Sequence, residues 1–123
     1  MLNSHDINDL KPAIKMKCLA LIEKCKQANI DIIITCTLRD DEAQNALYEI
    51  GRSQKGFILT NLRGGDSKHN HGLAFDFCVM NYGKCDWHNA TAFKKVGELG
   101  ESLGLKWAGR WRGKLREFAH FEV

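Results

Sequence analysis

No stretch of the sequence approaches the roughly 20 apolar residues that a membrane-spanning helix requires. Its first residues, MLNSHDINDLKPAIK, also lack the charged start, apolar run and small-residue cleavage site of a secretory signal. Synthesis in the cytoplasm is therefore expected, without stable membrane insertion. CxxC pairs are missing as well. The five cysteines (Cys18, Cys25, Cys36, Cys78 and Cys85) form an odd set, which argues against a thiolate zinc cluster. In a reducing compartment a disulfide framework is not the default. Four of the five lie within or beside apolar runs and read as small buried hydrophobes. A charge excess is lacking too: 18 Lys and Arg against 15 Asp and Glu give +3. That balance does not indicate a nucleic-acid binder, although it favours approach to an anionic polymer such as a cell wall. Internal repeats and low-complexity tracts are absent.

What is present is an ordinary globular composition, 44% apolar and 27% charged, in 123 residues, enough for one domain with a modest core. Ile14, Cys18, Leu21 and Cys25 recur at helical spacing and predict a helix over about Asn8 to Ala28, with Pro12 tolerated in its first turn and Asn29 as a stop. Asp31 to Thr37 is β-branched and short, a buried strand. A second helix is expected from Asp41 to Ile50, with Asp40 as N-cap and Gly51 just past its end. Arg52 to Lys68 carries three glycines and no period, and reads as a long loop. From Leu73 to Met80, Ala74, Asp76 and Cys78 alternate with Phe75, Phe77 and Val79, so a strand places Asp76 opposite the phenylalanines. A turn at Asn81 to Lys84, a helix from His88 to Leu103, and short strands at Leu105 to Ala108 and Ala119 to Val123 complete the chain. Parallel crossovers do not recur. The expected fold is α+β, a small mainly antiparallel sheet packed with about three helices in a single domain.

Two segments stand out chemically: SKHNHGLAFD at residues 67–76 and Glu117-Phe-Ala-His120 near the end. The first sets an imidazole before a strand and a carboxylate along it, and His120 can add a third ligand from another strand. Three such N/O ligands with an open fourth position describe a catalytic zinc site. Glu117, three residues before His120, could then act as general base and later protonate a leaving amine. Gly72 suits a tight bend. Each residue also has a structural alternative. His120 could be a hydrogen-bonded core histidine and Glu117 a solvated charge. His71 could compete as a ligand, or with His88 belong to a loop or helix cap.

The ordered set resembles the zinc D-Ala-D-Ala carboxypeptidases and L-alanyl-D-glutamate peptidases, a family that includes phage endolysins. Its signature is SxHxxGxAxD followed by a late (E/D)xxH, and Ser67, His69, Gly72, Ala74, Asp76, Glu117 and His120 are in register with it. Residues 37–52, TLRDDEAQNALYEIGR, resemble the family's arginine-bearing strand end and following helix, and residues 93–107, FKKVGELGESLGLKW, its last helix and GLxW turn. The resemblance implies Zn2+ held by His69, Asp76 and His120, Glu117 as catalytic acid/base, and Arg39 contacting substrate or polarising the scissile carbonyl. It also implies that Ser67 and Gln44 bind substrate or orient the site. Without it, Arg39 could equally pair with Asp40, Asp41 or Glu42, Ser67 could cap a loop, and Gln44 could be solvated.

The expected activity is that of a zinc peptidoglycan peptidase, residues 1–123 forming its catalytic domain, cutting the L-Ala-D-Glu bond of the stem peptide. D-Ala-D-Ala cleavage is the alternative, because Glu117 follows the carboxypeptidase habit. The segment Trp107-Ala-Gly-Arg-Trp111 departs from the family's usual WGG-acidic pattern, so the polarity of the pocket differs. With no signal and no room for a wall-binding module after His120, a one-domain phage or prophage lysin is expected, monomeric and reaching the wall through a holin pore. A non-catalytic zinc-binding domain of the same fold is a further alternative, disfavoured by an intact Glu117. His69-Asn-His71 spells HNH, but that nuclease motif is spread over a metal-binding ββα unit and not a tripeptide. A non-haem iron oxygenase would place its first ligands closer and needs a longer chain.

Overall fold

A computed structural model describes residues 1–113 and 116–123. Helix α1 is Pro12–Gln27, with Pro12 in its first turn and Ile14, Cys18, Leu21 and Cys25 buried along one face. It begins later than the apolar period suggests, because Ile7–Asp9 forms a separate 3-10 turn capped by the Asp6 carboxylate. Asn29 takes a left-handed φ of 59° just beyond the helix, as a terminating asparagine does. Strand β1 is Ile32–Cys36. Helix α2 is Asp41–Glu49, and the Asp40 carboxylate accepts the Ala43 N–H at its start.

After the long loop, a 3-10 turn at Lys68–His71 leads into β2, Ala74–Asn81. Strand β3, Lys84–Cys85, folds back on β2 across Tyr82 and Gly83, both with positive φ. The turn is therefore tighter than expected: Lys84 already pairs with Asn81. This hairpin joins Cys78 and Cys85 as a disulfide, a correction to the reduced-cysteine expectation. Cys18, Cys25 and Cys36 are free and buried. Helix α3 is Ala90–Ser102, opened by Asn89, whose side chain accepts the Ala92 N–H; His88 stays outside it. Short strands β4, Lys106–Trp107, and β5, His120–Glu122, end the chain, and part of the link between them falls outside the described residues.

The sheet runs β1-β2-β5-β4 with β3 on β2, and every pairing is antiparallel. Its helix-facing side is aromatic: the rings of Phe75 and Phe77 lie 5.4 and 5.3 Å from that of Phe121, and Phe77 lies 5.3 Å from Phe93. Burying each such ring contributes about 1.5–3 kcal/mol. Helix α3 can lie close because Gly97 and Gly100 leave room; a Cβ there would collide with Trp107 and Phe121 respectively. The opposite side of the sheet is where the chemistry collects. Register sets Asp76 beside Cys36 of β1 and beside His120 of β5.

Candidate metal centre

His69 is delivered by the 3-10 turn. The Ser67 hydroxyl accepts the His69 N–H at 3.2 Å, and Asn70 Oδ1 accepts the Ser67 N–H at 3.1 Å, a reciprocal cap that fixes the turn. Gly72 closes it at φ 68°, and its missing side chain leaves space for the Asp9 carbonyl. The ring is oriented from behind: Nδ1–H donates to the Thr37 carbonyl at 2.8 Å, which leaves Nε2 facing Asp76 Oδ1 at 3.1 Å. His120 is oriented in mirror fashion. Its Nε2–H donates to Glu122 Oε1 at 2.9 Å, and its Nδ1 lies 2.8 Å from the same oxygen of Asp76. A backbone carbonyl behind one ring and a carboxylate behind the other are the outer partners that set the tautomer of metal-ligating histidines.

Two imidazole nitrogens thus converge on one carboxylate oxygen from three separate elements. Asp76 is the shared member: with donor atoms within 4.8 Å of one another it groups with His69 and Cys36 on one side and with His120 and Glu117 on the other, while the two rings do not fall in one such group. Electrostatics agree with a cation site. Burial disfavours the charged form of His69, but its hydrogen bond to the Asp76 carboxylate and the nearby Cys36 outweigh it and lift the ring to about 10. His120 is likewise lowered by burial but raised to about 9 by Asp76 and Glu122. Burial would raise the Asp76 carboxyl, yet the two rings hold it well below the usual range. The Asp76 carboxylate thus favours positive charge on the groups around it.

Glu117 reaches in from the loop before β5. It is mostly exposed, with Oε2 3.9 Å from His120 Nδ1, and Asp76, Glu117 and His120 form one possible donor group. Cys36, His69 and Asp76 form another. Cys36 Sγ, however, lies 3.7 Å from His69 Nδ1, the ring edge already taken by Thr37 and turned away from Asp76.

Among the described residues Arg39 pairs with none of Asp40, Asp41 and Glu42, the alternative its neighbours offered. Its Nη1 donates to Gln44 Oε1 at 2.9 Å, Nη2 to Cys36 Sγ at 3.3 Å and Nε to Asn3 Oδ1 at 3.3 Å. Gln44 is buried rather than solvated, and its Nε2 donates to the Leu62 carbonyl. Both line a cavity of about 490 Å³ together with Ser67, His69, Asp76 and Glu117. Ser67 caps the turn and also faces that cavity. His71 is not brought into the site; its Nε2 bonds the Gly65 carbonyl on the exposed side of the turn. Sequence reasoning missed Glu122, Cys36 and the Thr37 carbonyl. Glu122 was detectable, since a residue two after His120 on a strand shares its face.

A family model described as D-alanyl-D-alanine carboxypeptidase, of peptidase family M15, matches residues 60–123. The peptidoglycan L-alanyl-D-glutamate endopeptidase CwlK of Bacillus subtilis (strain 168) is 35% identical over 131 residues, covering 94% of this chain and 74% of that protein. The chain belongs to the M15 peptidase family. A second relative, the L-alanyl-D-glutamate peptidase of Listeria phage A118, is 29% identical over 110 residues, spanning 88% of this chain and 36% of that one. Among solved structures, the vancomycin resistance D,D-pentapeptidase VanY E175A mutant in complex with Zn(II) superposes with a TM-score of 0.69 at 14% identity, covering 93% of this chain and 72% of that one. At that identity the likeness concerns the fold. In this M15 peptidase no helix among the described residues is long and apolar enough to cross a membrane.

Proposed function

We propose that residues 1–123 form the catalytic domain of a zinc-dependent peptidoglycan peptidase that hydrolyses the L-Ala-D-Glu bond of the stem peptide. The observation that carries this reading is the convergence of His69 Nε2 and His120 Nδ1 on Asp76 Oδ1 beside the Glu117 carboxylate. The donor set is that of a catalytic zinc site, with three N/O ligands and room for a fourth. A zinc ion held there would supply Lewis-acid activation of water and of the peptide carbonyl. Glu117 takes the proton from the attacking water at its carboxylate and returns it to the leaving amine. Arg39, clamped by Gln44, Cys36 and Asn3, presents a fixed positive charge to the cavity and binds the substrate or the developing negative charge on the carbonyl oxygen. Ser67 and Gln44 support the walls of that cavity.

The choice of bond is supported by the printed activity of the 35%-identical relative. D-Ala-D-Ala carboxypeptidase activity is the second reading, favoured by the description of the matching family model. Peptidoglycan digested with zinc-loaded protein and analysed by mass spectrometry decides between them. New N-terminal D-Glu supports the first, and loss of a terminal D-Ala supports the second. Likeness to a phage peptidase supports a lysis role, in which the protein is made in the cytoplasm and meets the wall after release through a holin pore.

A further inference from the structure

Asp76 and Glu117 sit on the boundary between two cavities of opposite character. One is the Arg39 cavity described above. The other, of about 370 Å³, is walled by Trp87, Ala90, Phe93, Phe118 and Ala119. Apart from Asp76 and Glu117 at its mouth, no charged side chain among the described residues lines it. Its large rings are not explained by the core. Trp87 is 55% and Phe118 47% exposed, so both rings present apolar surface at this cavity. The wall is also held in place. Trp87 stacks on the buried Phe93 with ring centroids 5.9 Å apart and planes 20° from parallel. The segment before it is fixed by the Cys78–Cys85 disulfide and by the Asp86 N–H donating to the Val79 carbonyl at 2.8 Å.

We infer that this apolar cavity, with Trp87 and Ala90 as specificity-determining residues, binds the alanyl residue and its N-acyl group on the amino side of the scissile bond. The acidic residue on the leaving side then occupies the Arg39 cavity. This assignment rests on the peptidase reading above. Asp76 and Glu117 border both cavities, so what separates them is the cation: a substrate carboxylate turned into the apolar side would lose its hydration without meeting one, whereas on the other side Arg39 and Lys68 stand among the lining carboxylates Asp66 and Glu122. The alanyl methyl and the acyl chain attached to its nitrogen gain what a carboxylate would lose. A volume of about 370 Å³ is more than a methyl group needs, so the acyl group lies in it too.

The test uses the zinc-loaded full chain and three synthetic N-acyl stem peptides: the L-Ala-D-Glu form, one with Gly replacing L-Ala, and one with D-Gln replacing D-Glu. Burial of one methyl predicts a kcat/KM about four-fold higher for Ala than for Gly in the wild type. Trp87→Ala and Ala90→Leu are expected to bring that ratio to about one, and Trp87→Phe to keep most of it, while the Glu-to-Gln ratio stays at its wild-type value in all three. Both substituted positions are exposed, and circular dichroism checks that each variant is folded. An Ala-to-Gly ratio unchanged in Trp87→Ala and Ala90→Leu overturns the assignment. So does a change in the Glu-to-Gln ratio alone, which would mean that the two cavities are used in reverse. Failure of the zinc-loaded wild type to cut any of the peptides would instead overturn the peptidase reading, and this one with it.

Discussion

Glu122 stands behind the His120 ring, and replacing it should weaken metal binding. Its Oε1 accepts the His120 Nε2–H at 2.9 Å, and its side chain is only 15% exposed. Glu122→Ala leaves a nearly buried ring N–H without a partner, at a cost of about 1–3 kcal/mol. It also removes the carboxylate that raises the basicity of the ring and holds Nδ1 toward Asp76. Loss of such an outer partner typically lowers metal affinity by about 10–100-fold, equivalent to about 1.4–2.7 kcal/mol. Glu122→Gln keeps an acceptor oxygen but no charge, and should fall between wild type and alanine. Competition against a chromophoric zinc chelator at fixed pH measures both. The thermal midpoint with and without zinc gives an independent reading, because a ligand bound only to the folded state raises it in proportion to its affinity. A folded Glu122→Ala protein binding zinc within two-fold of wild type would refute the orienting role of the carboxylate.

Other outcomes follow from the same geometry. Glu117→Ala should lower wall hydrolysis by about two to four orders of magnitude, the usual worth of a positioned acid/base, while metal analysis still finds one zinc per chain. His69→Ala and His120→Ala should each lose metal and turnover together, so a variant that kept its zinc stoichiometry would remove that histidine from the ligand set. Zinc affinity should climb with pH through neutrality. Both rings are raised, to about 10 and about 9, so protons compete for the ligand nitrogens well above the ordinary histidine range and acid releases the metal. An affinity flat between pH 6 and 8 in chelator competition would contradict this.

Much of this site was legible before any coordinates, for reasons particular to each residue. Alternation along 73–80 was enough to separate Asp76 from Phe75 and Phe77, because a strand has only two faces. His69 and Gly72 announced a bend before that strand. His120 was different: its chemistry offered it as a third ligand from another strand, but its spacing could not fix that it lies beside Asp76, since cross-strand register is a tertiary property. The same dependence on register hid Cys36. The Thr37 carbonyl could not be found from a side-chain pattern at all. The disulfide was missed because seven residues of spacing say little until a two-residue turn at Tyr82 and Gly83 brings Cys85 back alongside β2. Helix α1 was drawn a turn too long at its start, where Asp6 caps a different local structure.

Strand β5 is three residues long, and its side chains divide their loyalties. His120 and Glu122 look toward Asp76, while the ring of Phe121 between them is wedged among Phe75, Phe77 and the gap left by Gly100. Working chemistry and hydrophobic interior are therefore stitched through a single short thread. Heat cannot loosen the aromatic cluster and spare the histidine, nor disorder the histidine and leave the cluster sealed. Activity and aromatic packing should therefore be lost at one temperature, a coincidence that heating monitored by hydrolysis and by near-ultraviolet circular dichroism checks.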